Sequence, residues 1–212
     1  MLLRRPLWTL ALVLLSTTAG VAGAEELLPS MQPSTPSRFP TVLREVVIDA
    51  GLLGAAFALD DAARPGSADK GFGRFVEEPG ETFGGATFLL GGTLGLGAGS
   101  AAAHEASGLK TAKRLALSLG TTTAVVGVLK WITDRTRPDG SNDYSFPSGH
   151  AAGAFAAATV IAREHGRAAG AIAYAAAAAA GYARIANNKH YLSDVVAGAL
   201  IGRLIGRAFT AH

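Results

Sequence analysis

The 212-residue chain contains no cysteine, which excludes disulfide staples and any zinc site built on thiolates. Aromatic residues are scarce at 7%, and no stretch alternates apolar and polar residues in the manner of a strand. No internal repeat occurs at solenoid periods. Nor is there a dense carboxylate cluster to bind a hard metal ion, so neither a metal nor another cofactor is expected. Charge of one sign is also lacking. The formal net charge is +3, and loss of residues 1–24 with Arg4 and Arg5 would leave 17 basic against 16 acidic groups. A net charge of +1 gives no support to a nucleic-acid-binding surface. Long apolar runs are few, since only 84–103 stays uncharged for the roughly 20 residues that a membrane span needs.

What is present is small and helical. Alanine is abundant and glycine occurs 27 times, a composition suited to helices packed backbone against backbone. The length suits one domain with its own core. Residues 1–24 read as an export signal, with a basic start at Arg4 and Arg5, an apolar stretch from Leu7 to Ala22, and a small-x-small site at Ala22-Gly23-Ala24. An uncleaved anchor is the other reading of the same residues. Residues 25–83 form an N-terminal region: a linker with four prolines in 25–42, a short helix at 46–59 interrupted by Asp49, then a charged loop at 60–83. Residues 84–212 form the core, an all-α bundle of five helices expected at 84–103, 111–134, 150–164, 168–184 and 190–208. In two of these, glycine recurs every four residues, at Gly91, Gly95 and Gly99 and at Gly198, Gly202 and Gly206. Residues four apart share a helix face, so each row predicts a smooth groove for a neighbouring backbone.

Charge placement favours a membrane-embedded bundle over a soluble one. The helix ends remote from the chemical motifs carry Lys110, Lys113, Arg114, Arg163, Arg167, Arg203 and Arg207, opposed there by Glu105 and Glu164. Cations at helix C-termini complement the dipole, but Lys113, Arg114 and Arg167 sit at helix starts. The positive-inside rule then turns the motif-bearing ends outward, toward the bacterial periplasm. Five passes result, or six with an uncleaved anchor, and 46–59 would begin and end outside, on the surface of the bundle or the membrane.

The chemistry concentrates in three segments. Lys130 and Arg137 are seven residues apart, nearly two helical turns, and would present two cations on one helix face. Pro138 ends that helix, and Arg135 falls on another face as a solvated cation. Pro147-Ser148-Gly149-His150 precedes an alanine-rich helix. There Ser148 offers a hydroxyl, the helix start offers amides to an anion, glycine permits close approach, and His150 carries a proton near neutral pH. His190 and Asp194, one turn apart, form a nucleophile and the carboxylate that fixes its tautomer. Asn187-Asn188-Lys189 breaks the preceding helix and returns Arg184 to the histidine. His104, His165 and His212 are expected to be solvated.

Lys-x6-Arg-Pro, Pro-Ser-Gly-His and Arg-x5-His-x3-Asp, in this order, resemble the type 2 phosphatidic acid phosphatase superfamily, which includes bacterial acid phosphatases and vanadium-dependent haloperoxidases. The resemblance spans about 84–208, and Ala183 stands where the family usually has serine. It implies a metal-independent phosphomonoesterase with His190 as the nucleophile forming a phosphohistidine and Asp194 orienting it. His150 would protonate the leaving alcohol and then activate water, while Lys130, Arg137, Ser148, Gly149 and Arg184 would bind the phosphate. The substrate would be a phosphate or pyrophosphate ester, membrane lipid-linked, at the inner membrane. A soluble periplasmic acid phosphatase, a haloperoxidase and a non-catalytic lipid-phosphate binder remain open alternatives, and the oligomeric state is not read from these motifs.

Overall fold

The computed structural model describes residues 39–64 and 85–211. The expected export signal at 1–24, most of the linker, most of the loop at 60–83 and His212 lie outside the described residues. The chain divides into two units, Met1–Arg44 and Glu45–His212. Of the first, only the opening of one helix is described. The bundle and its site lie in the second.

Five helices follow in order: α1 (Phe39–Ala58), α2 (Ala86–Ala102), α3 (Ala106–Thr133), α4 (Gly149–Ala186) and α5 (Leu192–Ala208). Among the described residues there is no strand, and the one isolated bridge joins Arg135 to Tyr144. The expected all-α bundle is therefore what forms. α4 is two helices joined at Gly166, whose φ of 84° and ψ of −174° lie where glycine alone rests without strain. Its arms, 149–165 and 167–186, take the places of the helices expected at 150–164 and 168–184.

The tightest packing is between α4 and α5. A methyl placed on Gly206 would lie 2.7 Å from Thr159 Cβ and 2.8 Å from the Ala156 carbonyl oxygen. One on Gly202 would lie 2.8 Å from Ala156 N and closer still to the Ala152 carbonyl oxygen, and one on Gly198 would strike the Ser148 carbonyl oxygen. This glycine row is a backbone-on-backbone seam. The other row is not: a methyl added to Gly91, Gly95 or Gly99 would meet nothing within 4 Å among the described residues. That face of α2 is open, although its spacing is the same. Two apolar clusters complete the interior. Leu115, Leu119, Ala156, Ala157 and Val160 join α3 to α4 with Leu89 of α2 against them, and Ala154, Ala158, Ala177 and Ala180 join the arms of α4.

α1 departs from expectation. Arg207 pairs with Glu45 at 2.8 Å, Arg203 with Asp49 at 2.6 Å, and the Ser193 amide donates to Asp60 at 2.8 Å. Rising numbers toward the end of α1 meet falling numbers in α5, so the segment runs antiparallel along the length of α5. From Glu45 it runs along the bundle from the basic end to the motif face, so its two ends are not both outside. The physical reason is pairing: Asp49, read as an interruption, is neutralised by Arg203. The basic end is also less one-sided than its sequence suggests, because Glu164 pairs with Arg114 and with Lys110 at 3.8 Å. Glu45 and Asp49 of α1 also pair with Arg207 and Arg203 there. His104 and His165 are exposed as expected, His165 with Nε2 3.5 Å from the Thr111 hydroxyl.

Candidate active site

The three motif segments meet at one end of the bundle, but local geometry differs from simple helix-face arithmetic. α3 stops at Thr133 because Asp134 takes a left-handed φ of 44°, so Arg137 is not on the helix of Lys130. The chain beyond is extended and pinned to the next segment: Ser145 N donates to Arg135 O at 2.9 Å, Thr133 Oγ1 to Phe146 O at 2.9 Å, and Lys130 Nζ to Tyr144 O. Arg137 and Lys130 reach the same site from different elements, and the charges of Arg137 and Arg184 both act on Lys130.

Ser148 is the N-cap of α4, with its Oγ accepting from the Ala151 amide at 3.5 Å. Its own amide is committed to the Asp194 carbonyl at 2.9 Å. That amide is therefore not an anion donor, contrary to expectation. The Ser148 hydroxyl proton and the Gly149 amide in the first turn, where N–H groups lack an intrahelical acceptor, are what this seat offers. A methyl on Gly149 would meet only Val126, at 3.6 Å, an ordinary contact. The fold itself does not demand glycine there. His150 is half-buried beside it.

On the far side, α4 ends at Ala186 and Asn188 turns left-handed with φ 52°. The amides of Lys189 and His190 both fold back onto Arg184 O, at 3.0 and 3.1 Å, which brings Arg184 beside the histidine. Lys189 Nζ pairs with Asp139 at 2.7 Å, and the Asp139 amide donates to Asn188 O, so the loops before α4 and α5 are tied together. His190 precedes α5 rather than lying on it. It meets Asp194 because that carboxylate folds back over the helix start, accepting the Tyr191 amide at 2.9 Å. His190 Nδ1 lies 3.6 Å from Asp194 Oδ2, an ion-pair separation beyond hydrogen-bond length.

Both side chains are buried, Asp194 completely and His190 to 2% exposure. Burial pushes the His190 imidazole below the ordinary histidine range. The contact with Asp194 opposes this, and Lys130 and Arg137 push the same way as burial. Near neutral pH the ring is uncharged, which a nucleophilic nitrogen requires. Among the described residues, Arg137 Nε and His190 Nδ1 are buried without a hydrogen-bond partner.

Arg135 overturns its sequence reading. It is not solvated: Nη1 donates to Asp194 Oδ1 at 2.6 Å and to Ser193 Oγ at 2.7 Å, and Nη2 donates to Asp60 at 2.7 Å. Ser145 Oγ adds a bond to Asp194 Oδ2 at 2.5 Å. Ser145, Ser193 and Asp60 carried no periodic or motif signal. Helix-face spacing does not govern Arg135, because α3 ends before it at Asp134. Ala183, the departure from the family pattern, is fully buried.

Residues 139–211 match the model of the PAP2 superfamily. Over 94 residues the chain is 40% identical to a lipid A 1-phosphatase of Porphyromonas gingivalis, covering 43% of this chain and 21% of that relative. It thus spans about a fifth of the curated relative's length. The crystal structure of Aquifex aeolicus LpxE superposes with a TM-score of 0.59 at 25% identity, covering 76% of this chain and 94% of that one. Residues 139–211, which hold the second and third motifs, thus resemble the PAP2 superfamily, and the chain is homologous to both proteins, with a helical fold like that of LpxE.

Proposed function

We propose that the protein is a metal-independent lipid phosphatase that removes a phosphate from a lipid A-type substrate at the outer face of the inner membrane. The observation that carries this reading is the buried His190, backed by Asp194, with the cations Lys130 and Arg137 acting on it. A buried donor without a partner, such as Arg137 Nε, costs about 1–3 kcal/mol, which phosphate oxygens would offset. Lys130, Arg137 and Arg184, with the Ser148 hydroxyl and the Gly149 amide, supply charge and hydrogen bonds to the transferring phosphoryl group.

The Asp194 carboxylate, 3.6 Å away, electrostatically favours the tautomer with the proton on His190 Nδ1, so Nε2 attacks phosphorus. As the ester bond breaks, His150 passes its proton to the leaving oxygen. His150 then takes a proton from water, whose oxygen attacks the phosphohistidine, releasing phosphate and restoring Nε2. The lipid class is supported by the activity in the name of the Porphyromonas gingivalis relative, a lipid A 1-phosphatase. Membrane residence is supported by outward apolar side chains along the helices, including Leu94 at 73% and Ile172 at 74% exposure. α3 is long and apolar enough to cross a bilayer, and Trp131, 78% exposed at its motif end, suits the interfacial belt.

Phosphate release by the purified protein tests this, comparing lipid A, phosphatidate, phosphatidylglycerol phosphate, undecaprenyl pyrophosphate and soluble monoesters. Release from lipid A, lost in folded His190→Ala and His150→Ala variants, is the expected result. Preference for soluble monoesters, or recovery of the protein by osmotic shock, would point to a soluble acid phosphatase instead. Bromide oxidation with added vanadate would move the reading to a haloperoxidase.

A further inference from the structure

Asp60 and Arg135 belong to none of the motifs, yet they hold the group that holds the nucleophile. Asp60 follows α1 and is 9% exposed. Its Oδ1 accepts the Ser193 amide at 2.8 Å, and its Oδ2 accepts the Ser193 hydroxyl and Arg135 Nη2, both at 2.7 Å. The Tyr191 ring lies 4.0 Å below the guanidinium carbon and the Phe57 ring 5.4 Å from it. Clamped in this way, the guanidinium presents Nη1 to Asp194 Oδ1 at 2.6 Å. The opposite oxygen, Oδ2, is the one that faces His190 Nδ1. A clamp between α1 and α5 would need only the Asp60–Ser193 bonds; the bond to Asp194 adds a link toward the reacting nitrogen.

We propose that Asp60 and Arg135 are positioning residues for the His190 nucleophile. Asp60 sets the guanidinium, the guanidinium sets the rotation and charge of Asp194, and Asp194 sets which ring nitrogen of His190 carries the proton. The geometry stands independently, but the consequence for turnover rests on the phosphatase reading. The charged groups around His190 are Lys130 and Arg137 from the end of α3 and the loop after it, Arg184 from α4, and Asp194 from α5. Asp60 and Arg64, after α1, line a small cleft that also borders His190. Removing Arg135 leaves the Asp194 charge less offset and favours imidazolium, so His190 should take up its proton at higher pH.

The experiment uses the full chain in detergent with 15N-labelled histidine. His190 titration by NMR and the pH profile of kcat are compared for wild type, Arg135→Gln, Arg135→Lys and Asp60→Asn. Arg135→Gln should raise the His190 midpoint by about one unit and lower kcat by about ten- to a hundredfold, with KM little changed. Arg135→Lys should restore the midpoint but only part of kcat, because lysine keeps the charge and loses the fork. Asp60→Asn should lower kcat without raising the midpoint. Folded Arg135→Gln with wild-type titration and kcat would overturn the proposal. Should that variant fail to fold, wild-type titration and kcat in both Arg135→Lys and Asp60→Asn would overturn it equally. If the wild type releases no phosphate from any substrate, the phosphatase reading fails and the NMR midpoints alone decide this one.

Discussion

The two glycine rows give opposite expectations for the same substitution. At Gly202 a methyl must displace the Ala152 carbonyl oxygen and Ala156 N, both backbone atoms that yield only if α4 and α5 separate. Overpacking of this kind costs about 1–3 kcal/mol, against a gain in helix propensity of about 1 kcal/mol for glycine to alanine. The net loss should be up to about 2 kcal/mol, which lowers Tm by up to roughly 8 °C in a chain of this size. At Gly95 a methyl meets nothing within 4 Å among the described residues, so Gly95→Ala should leave Tm unchanged or raise it. Position along the seam adds a functional readout. Gly198 abuts the Ser148 carbonyl at the anion seat, whereas Gly206 abuts Ala156 and Thr159 at the other end. Gly198→Ala should therefore lose activity as well as stability, and Gly206→Ala stability alone. Thermal unfolding in one detergent, with activity measured well below Tm, reads both. A stable Gly202→Ala beside an unstable Gly95→Ala would refute the seam.

Further expectations come from the site and from α1. His190 titrates below its unfolded value, so the unfolded chain binds the extra proton first: stability contributed by neutral His190 is present above the ordinary range and lost as pH falls below it. Activity should hold to a lower pH than an ordinary histidine would allow, and Lys130→Met should move that acid limb upward; a downward shift would contradict the charge argument. Gly149→Ala should fold normally but lose activity as the phosphate is crowded, and wild-type turnover would remove Gly149 from the seat. Asp49→Asn leaves the Arg203 guanidinium without its carboxylate and should lower Tm, whereas Asp49→Leu with Arg203→Leu should restore it, because a hydrophobic pair replaces the ion pair. A double variant less stable than Asp49→Asn would count against that.

Residue chemistry and spacing were legible where the chain punctuates itself. The Ser148-Gly149 helix start and the Asn187-Asn188-Lys189 break marked turns that the structure has, whereas Pro138 does not end α3, which stops earlier at Thr133. Helix-face arithmetic failed one or two residues beyond each helix end. Asp134 turns left-handed and swings Arg135 inward, and His190 lies just before α5, where capping rather than periodicity brings it to Asp194. The partner of a glycine row is not written in the row, so 91–99 and 198–206 looked alike. Pairings across long separations, such as Asp49 with Arg203 and Asp60 with Arg135, leave no local pattern, which hid the course of α1 and the support behind the site.

The central claim is that His190 Nε2 carries the phosphoryl group. An aryl phosphate has a leaving group good enough to depart without an acid, so His150→Ala should form the intermediate and then stall for want of a base. Rapid quench without acid, proteolysis and mass spectrometry should find phosphate on the His190 peptide, in greater amount in His150→Ala than in wild type. Phosphate on another residue, or none on His190 while His150→Ala turns over normally, would contradict the account.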